Sequence, residues 1–264
     1  MGDGIMLRRI MAAFPKFTFT PTDPNAAPGF TFISDGHGDW RIKFLTSGTL
    51  VFGNLANASR GIDVFLVGGG AGGASWVVNP DTRAAGGGGG YTKTERNVTV
   101  TKGTSYAIVV GAAGFNNAAS SGSAMDGYSR GSNGGDTTAF GYTANGGGYG
   151  RAGHAYYPET YNYGWAEGGN GGSGGGTRAT FAYNGGTDGG NGDGADSSHG
   201  RGQGTTTREF GEAGGDLYAS GGGSYTPHVD NSGNGGCVWW TGNGWETQSI
   251  AASSGIVVIR NHRE

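Results

Sequence analysis

The strong hydrophobes are clustered along the chain. Thirty of the forty Leu, Ile, Val and Phe residues fall in three segments, 1–67, 98–110 and 256–259. Within them the patterning is that of strands. Phe17-Thr18-Phe19-Thr20 and Phe30-Thr31-Phe32-Ile33 alternate. Trp40-Arg41-Ile42-Lys43-Phe44 places three apolar side chains on one face and two cations on the other, as a half-buried antiparallel strand requires. Residues 49–52 follow Gly48 at hairpin spacing. Asp63-Val64-Phe65-Leu66-Val67 does not alternate and reads as buried on both faces. Residues 97–101 and 105–110 flank a predicted turn at Lys102-Gly103, and Ile256-Val257-Val258-Ile259-Arg260 is again continuously apolar. No stretch combines a 3.6-residue period with helix caps, so helices should be scarce.

A five-residue apolar strand at the C-terminal end cannot build a core alone. It should pair with strands of the N-terminal half, across everything between. The region of about 68–255 is then an insertion fixed at both ends in a β-sandwich. The expected division is a docking segment with the first strands in 1–39, then a glycine-rich β-sandwich domain over 40–264 closed by the strand 256–260.

Composition explains the insertion. Glycine makes up 61 of 264 residues, 53 of them in 68–255, where an ordinary protein has ~7% glycine throughout. Low hydrophobicity alone suggests disorder, but disorder also calls for high net charge, and 17 basic against 20 acidic residues leave only −3. Ordering glycine is entropically costly. Two structures recover that cost: tight turns at positive φ, or extended polyproline-II-like helices packed so closely that only glycine fits, with backbone groups bonded between neighbours. The second predicts glycine every third residue. Gly69/Gly72, Gly131/Gly134, Gly147/Gly150/Gly153 and Gly186/Gly189/Gly192 match it. Residues 168–176, with Gly169, Gly172 and Gly175 in register, match over three turns, which as one straight run would span roughly 28 Å.

Charge and cysteine usage narrow the partners. There is no basic stripe for nucleic acid and no apolar run long enough for membrane insertion. The start of the chain, with Arg8-Arg9 and a short apolar run ending at Pro15, reads as mature chain rather than as a signal peptide. Cys237, alone, makes no intramolecular disulfide.

Catalytic and cofactor motifs are weak. G-x-G-x-x-G recurs through composition alone, without a strand–turn–helix context. Gly189-Gly190-Asn191-Gly192-Asp193-Gly194 approaches a calcium β-roll repeat, but Asp193 falls one position early and the unit has no tandem partner. His37, His154, His199, His228 and His262 lack zinc-ligand spacing. Asp35, Asp39, Glu159 and Glu167 show no spacing that marks a glycosidase pair, and Cys237 reads as a small buried thiol. No enzyme, metal or cofactor is expected. The aromatics say more. Tyr156, Tyr157, Tyr161, Tyr163 and Trp165 form one dense group, and Trp239, Trp240 and Trp245 another. Rigid amphipathic rings on small polar residues suit recognition loops; the same rings could instead plug the ends of a glycine bundle.

The order of segments carries a resemblance. Val67-Gly68-Gly69-Gly70-Ala71-Gly72-Gly73, Gly86-Gly87-Gly88-Gly89-Gly90-Tyr91, the run 103–111, the run 200–212 and the closing Ser254-Gly255-Ile256-Val257-Val258-Ile259-Arg260 resemble the glycine-rich domain of tail-fibre and receptor-binding proteins of bacteriophages and prophages. The resemblance covers about 40–261. It implies an all-β fold with little α-helix: a jelly-roll or TNF-like antiparallel β-sandwich carrying polyglycine-II helices, related to the glycine-rich domain of anaplastic-lymphoma-kinase-type receptors and, more distantly, to distal adhesins of T-even-like phages. It further implies a non-enzymatic virion protein, made in the bacterial cytoplasm and released by lysis. Such a module contacts a bacterial surface receptor, glycan or protein, and joins tail-fibre or baseplate proteins through its N-terminal segment, with a homo-oligomer possible. Two other functions fit the composition: a self-assembling, filament-forming extracellular surface protein, and, less well, a polysaccharide depolymerase.

Overall fold

A computed structural model describes residues 14–25, 29–34, 38–78, 81–121, 127–157, 161–178, 184–194, 198–224, 226–240 and 247–263. In chain order its strands are β1 (Lys16–Pro21), β2 (Phe30–Ser34), β3 (Trp40–Phe44), β4 (Gly48–Asn54), β5 (Ile62–Val67), β6 (Ala74–Val78), β7 (Asp81–Ala85), β8 (Thr92–Val98) and β9 (Ser105–Val109). There follow β10 (Asn117–Ser121), β11 (Gly127–Arg130), β12 (Thr137–Ala139), β13 (Tyr142–Ala144), β14 (Arg151–Tyr157) and β15 (Tyr161–Glu167). The last are β16 (Thr177–Arg178), β17 (Cys237–Trp240), β18 (Thr247–Ile250) and β19 (Ile256–Asn261). The helical content of the described residues is two short 3₁₀ turns, Ala56–Arg60 and Glu209–Gly211. The fold is all-β. Its described strand pairs are antiparallel except β6 with β10, which is parallel.

Two five-stranded sheets, ordered β1-β4-β9-β12-β13 and β2-β3-β19-β5-β8, share one apolar core. Trp40, Ile42, Phe44, Ile62, Val64, Leu66, Val257 and Ile259 reach it from one sheet, Leu50, Phe52, Ile108, Ala139 and Ala144 from the other. We call this the body. The closing strand β19 lies at the centre of its sheet, between β3 and β5, as its apolar run demands. One boundary differs from expectation: the strand read over 97–101 is β8, which begins at Thr92 and ends at Val98. Thr92-Lys93-Thr94-Glu95-Arg96 is polar on both faces because β8 is an edge strand, and its pairing with Val67, Leu66, Phe65 and Val64 fixes its start.

Next to the body the glycine segments form a lattice. Within 69–72 each residue bonds to different neighbours. Gly69 and Gly72, three apart, donate to Gly135 and Ser132 of one segment and accept from Gly147 and Gly150 of another. Gly70 donates to Ser253 and accepts from Gly114; Ala71 donates to Gly88 and accepts from Gly236. A β-strand alternates its hydrogen bonds with a period of two. Here the period is three and the segment is ringed by six others. Segment 86–90 repeats the arrangement: Gly86 and Gly89 donate to Gly176 and Ser173 and accept from Gly169 and Gly172, while Gly87 and Gly90 donate to Gly236 and Gly233.

Close approach, not unusual dihedral angles, is what requires glycine here. Only eight described glycines have positive φ. A Cβ built on Gly69, Gly72, Gly147, Gly150, Gly169, Gly172, Gly175, Gly186 or Gly189 would come within 2.6 Å of a backbone carbonyl oxygen of a neighbouring segment or turn. Three register expectations need correction. Residues 168–176 are not one straight run: the chain bends at 171–173 and Gly175 donates to Gly169 at 2.9 Å, so the run folds into two adjacent segments. Gly189 lies in a turn with Asp188 (φ 82 and 52), closed by Gly190 N–H on Thr187 O, and interrupts the 186–192 run. Gly153 belongs to β14, where the Trp165 indole occupies the space a side chain would take.

Asparagines finish the lattice. Asn116, Asn133, Asn170, Asn191 and Asn234 each accept a backbone N–H, from Gly73, Tyr149, Arg201, Gly202 and Ser220 respectively. At these amides the short Asn side chain, carried on a neighbouring segment, supplies the acceptor in place of a backbone carbonyl.

Candidate functional site

Beyond the lattice, on the side away from the body, stands a cluster of hairpins, the tip. β6 starts directly after Gly73 and β7 ends directly before Gly86. β14 likewise follows Gly150, β15 precedes Gly168, and β17 follows Gly236. The strand ends that β6 and β7, β14 and β15, and β17 and β18 turn toward one another therefore lie farthest from the body. The tip comprises a sheet ordered β10-β6-β7-β16, a second ordered β11-β14-β15, and the β17–β18 pair, packed against one another. Asn116 ties it together: its amide nitrogen donates to Cys237 O, Ser249 Oγ and Ile250 O, and its oxygen accepts from Gly73 N–H.

The aromatic residues singled out in the sequence are drawn to this tip, on strands rather than on loops. Tyr156 and Tyr157 are in β14, Tyr161, Tyr163 and Trp165 in β15, and Trp239 and Trp240 in β17; Trp245 lies outside the described residues, as do the side chains of Tyr156, Tyr157, Tyr161, Tyr163 and Trp240. Bulky, β-favouring rings in alternating Tyr-Asn-Tyr and Val-Trp-Trp contexts pair readily into hairpins. Trp239 is half-buried against Ala84, Cys237 and Ile250, a packing role. Cys237 is fully buried, its thiol bonded to Gly223 O.

Trp165 belongs to a different environment. It pairs across Gly153 with Tyr128 in one cross-strand row, and Gly153 leaves room for the indole. The Arg151 guanidinium lies 5.5 Å from the Trp165 ring and is bound to Glu167 through two nitrogens at 2.7 and 2.8 Å. Tyr128 is 61% exposed, and Phe115, at the lattice margin, 66%. Sequence reading missed both, since each is a single ring in a polar or glycine-rich context. Only the fold places exposed Tyr128 and half-buried Trp165 in one cross-strand row on either side of Gly153.

The charged groups gather elsewhere, on the outer face of the β2-β3-β19-β5-β8 sheet, under segment 205–218. Buried Glu209 pairs with Arg41 and Lys43. Buried Asp63 pairs with Arg260, Arg96 and His262, and Arg260 also holds Glu212 and stacks 4.0 Å over Phe210. Burial works to raise the Asp63 pKa, but hydrogen bonds from His262, the Asn97 amide and Arg260 outweigh it and hold the carboxyl below its ordinary value. Glu212 is lowered by its bond from Arg260, and Asp216 by its bond from Lys43. Burial pushes the Tyr218 phenol up to about 12 against the pull of Lys43. These groups are mutually neutralised and pin 205–218 to the body. None is a free acid or base facing a cleft.

Other candidates are accounted for. Glu167 is engaged by Arg151, and Asp39 accepts from Asn261 and pairs with Arg263; Asp35, His37 and Glu159 lie outside the described residues. Asp193 accepts from Asn184. Among the described residues no group of three or more His, Cys, Asp or Glu side chains is placed to hold a metal ion, and no helix is long and apolar enough to cross a membrane.

A family model described as a glycine-rich domain matches residues 46–261. No curated protein matches the chain.

Proposed function

The chain belongs to the glycine-rich domain family, and from that premise we propose that it is a non-enzymatic receptor-binding module at the tip of a phage or prophage tail fibre. In this reading the lattice is a polyglycine-II bundle, and it joins a jelly-roll-like β-sandwich to the aromatic hairpins that touch a bacterial surface. Three bonding directions per three residues, with six neighbours around segment 69–72, support the bundle, since that is the geometry of packed threefold helices. The observation that carries the functional reading is polarity. Lys16 pairs with Asn54 and Asn261 with Ile62, so the first and last strands both begin or end on the side of the body remote from the lattice. The hairpins stand on the opposite side. Such a molecule is attached at one end and presents the other. The N-terminal segment then docks to fibre or baseplate, and the virion tail is the place of action.

Purified full-length protein tested on a panel of bacterial envelopes checks this. Saturable binding to a subset of strains is expected, weakened at least about tenfold (1.4 kcal/mol) by Trp240→Ala or Tyr161→Ala, with an unchanged melting temperature. Protease or periodate treatment of the envelopes separates a protein receptor from a glycan. Absence of binding to every envelope, or binding indifferent to both substitutions, would overturn it.

A further inference from the structure

The two sheets of the body have four edges, and three of them are guarded against pairing with another chain. β1 carries Lys16 and Pro21 at its ends and an irregular register at Lys16/Phe17. β8 carries Lys93, Glu95 and Arg96 and an irregular register between Ile62 and Val64 of its neighbour. β13 has only three residues. Charge, proline, bulges and shortness are the devices that keep strand edges from pairing. The fourth edge, β2, has none of them. Phe30-Thr31-Phe32-Ile33-Ser34 is uncharged, and its register with β3 is unbroken.

The backbone of this edge is half used. The Leu45 N–H donates to Gly29 O, so by antiparallel alternation Thr31 and Ile33 turn their backbone groups toward Lys43 and Arg41 of β3. Phe30 and Phe32 turn theirs outward, and among the described residues no strand lies beyond β2. The side chains agree. Phe32 pairs with core-facing Ile42, yet it is 39% exposed, although the Phe14 and Phe17 rings reach it at 6.0 and 6.2 Å. Ile33, on the outer face opposite Arg41, is 43% exposed.

The chemistry of an added strand follows. A residue set opposite Phe32 joins the Phe14, Phe17 and Phe32 rings at the margin of the core. It has to be apolar, because a charge there would lose its water without gaining a partner. On the outer face Arg41 and Lys43 are already held by Glu209, so opposite Thr31 and Ile33 a β-branched residue suits better than a charge. A second copy of the chain fits less well. The sheet runs broadly from the remote side of the body toward the lattice, with β5 ending at Gly68 and β19 starting after Gly255. Antiparallel pairing of β2 with itself would point two tips in opposite directions, against the one-sided attachment argued above.

We propose that β2 receives an extended, uncharged strand from the fibre or baseplate chain, which docks the body by strand addition. This rests on the attachment reading above and gives that contact its chemistry. Its test is amide exchange by NMR on the full chain with the peptide Thr-Val-Thr-Val-Thr-Val-Thr-Lys and a counterpart carrying Glu in place of each Val. Without peptide, the Phe30 and Phe32 amides should exchange fast and those of Thr31 and Ile33 slowly. With the Val peptide at about ten times its Kd, exchange at Phe30 and Phe32 should slow about tenfold, with no change at residues 93–96 of β8. The Glu peptide should bind at least about tenfold more weakly. Phe32→Pro removes an N–H that β3 does not use, and Ile33→Lys supplies a guard. Each should abolish peptide binding, and Ile33→Lys carries the test should Phe32→Pro lower the melting temperature. Both should leave envelope binding intact, which keeps failure of strand addition distinct from failure of the receptor reading. No protection at Phe30 and Phe32, equal binding of the Glu peptide, equal protection on β8, or binding that survives Ile33→Lys would each overturn the proposal. So would a dimer of the free chain that Ile33→Lys dissolves, which would assign the edge to a second copy.

Discussion

Leu66 and Gly68 are two residues apart in the chain and belong to opposite kinds of interior. Leu66 is fully buried among side chains contributed by both sheets of the body. Gly68 has no side chain at all, and a Cβ there would run into the Asn145 carbonyl. In the body, side chains fill the space between backbones and the hydrophobic effect is the main favourable term. In the lattice the backbones themselves touch, so cohesion comes from lateral hydrogen bonds, each worth a net ~0.5–1.5 kcal/mol, and from close packing. A count of apolar side chains therefore measures the first interior and misses the second. The two are also interleaved: the chain passes between them at 67/68, 90/92, 110/111, 136/137, 144/145 and 255/256, so they should unfold together.

The sharpest way to break this comparison is to add one methyl group to the lattice and remove several carbons from the body. Gly72→Ala sets a Cβ against the Phe115 carbonyl, with Asn116 N at 2.9 Å behind it, and backbone cannot swing aside as a side chain can. A loss of at least about 4 kcal/mol is expected, in the range reserved for gross overpacking. Leu66→Ala, which leaves a cavity, should cost about 2–5 kcal/mol. Urea unfolding of the two variants measures both. A lattice of loosely held loops would tolerate Gly72→Ala with hardly any loss.

Acid should strike the body first. Asp63, Glu212 and Asp216 all have folded pKa values below their ordinary ones. Their stabilisation is fully present above the unfolded pKa of about 4 and is lost as pH falls through the lower, folded values. The melting temperature should hold from pH 8 to 5 and fall below about pH 4, with amide exchange rising early in segment 205–218. In the lattice one lowered carboxyl stands out, Asp188 at its margin, stabilised chiefly by the Thr206 hydroxyl. Amides of 69–72 and 86–90 should stay protected until global unfolding.

How much of this was legible in the sequence follows from the same division. Alternation and apolar runs mark β1 to β5, β9 and β19, because those strands bury side chains. The polar start of the edge strand β8, residues 92–96, escapes such a reading. So do the tip strands: Asp81-Thr82-Arg83-Ala84-Ala85 or Asn117-Ala118-Ala119-Ser120-Ser121 carries no hydrophobic pattern, and pairing with neighbours is what makes them strands. Three-residue glycine spacing points to the lattice, but spacing cannot tell a straight run from the fold-back at 171–173. The aromatic clusters are visible as composition, whereas the row Tyr128–Gly153–Trp165 depends on strand register.

The smallest effects provide the sharpest control, because they involve glycines outside the lattice. Gly103 has open space around the position of a Cβ but φ +78, and Gly214 has open space with no positive φ. Gly103→Ala should cost about 1 kcal/mol, the penalty of a left-handed alanine. Gly214→Ala should be neutral or stabilising by up to ~1 kcal/mol, through the entropy removed from the unfolded chain. Thermal unfolding of Gly72→Ala, Gly103→Ala and Gly214→Ala side by side then isolates three reasons for one residue type: contact, conformation and none. Similar losses at all three positions would mean that glycine content as such, rather than the approach of neighbouring backbones, sustains the fold.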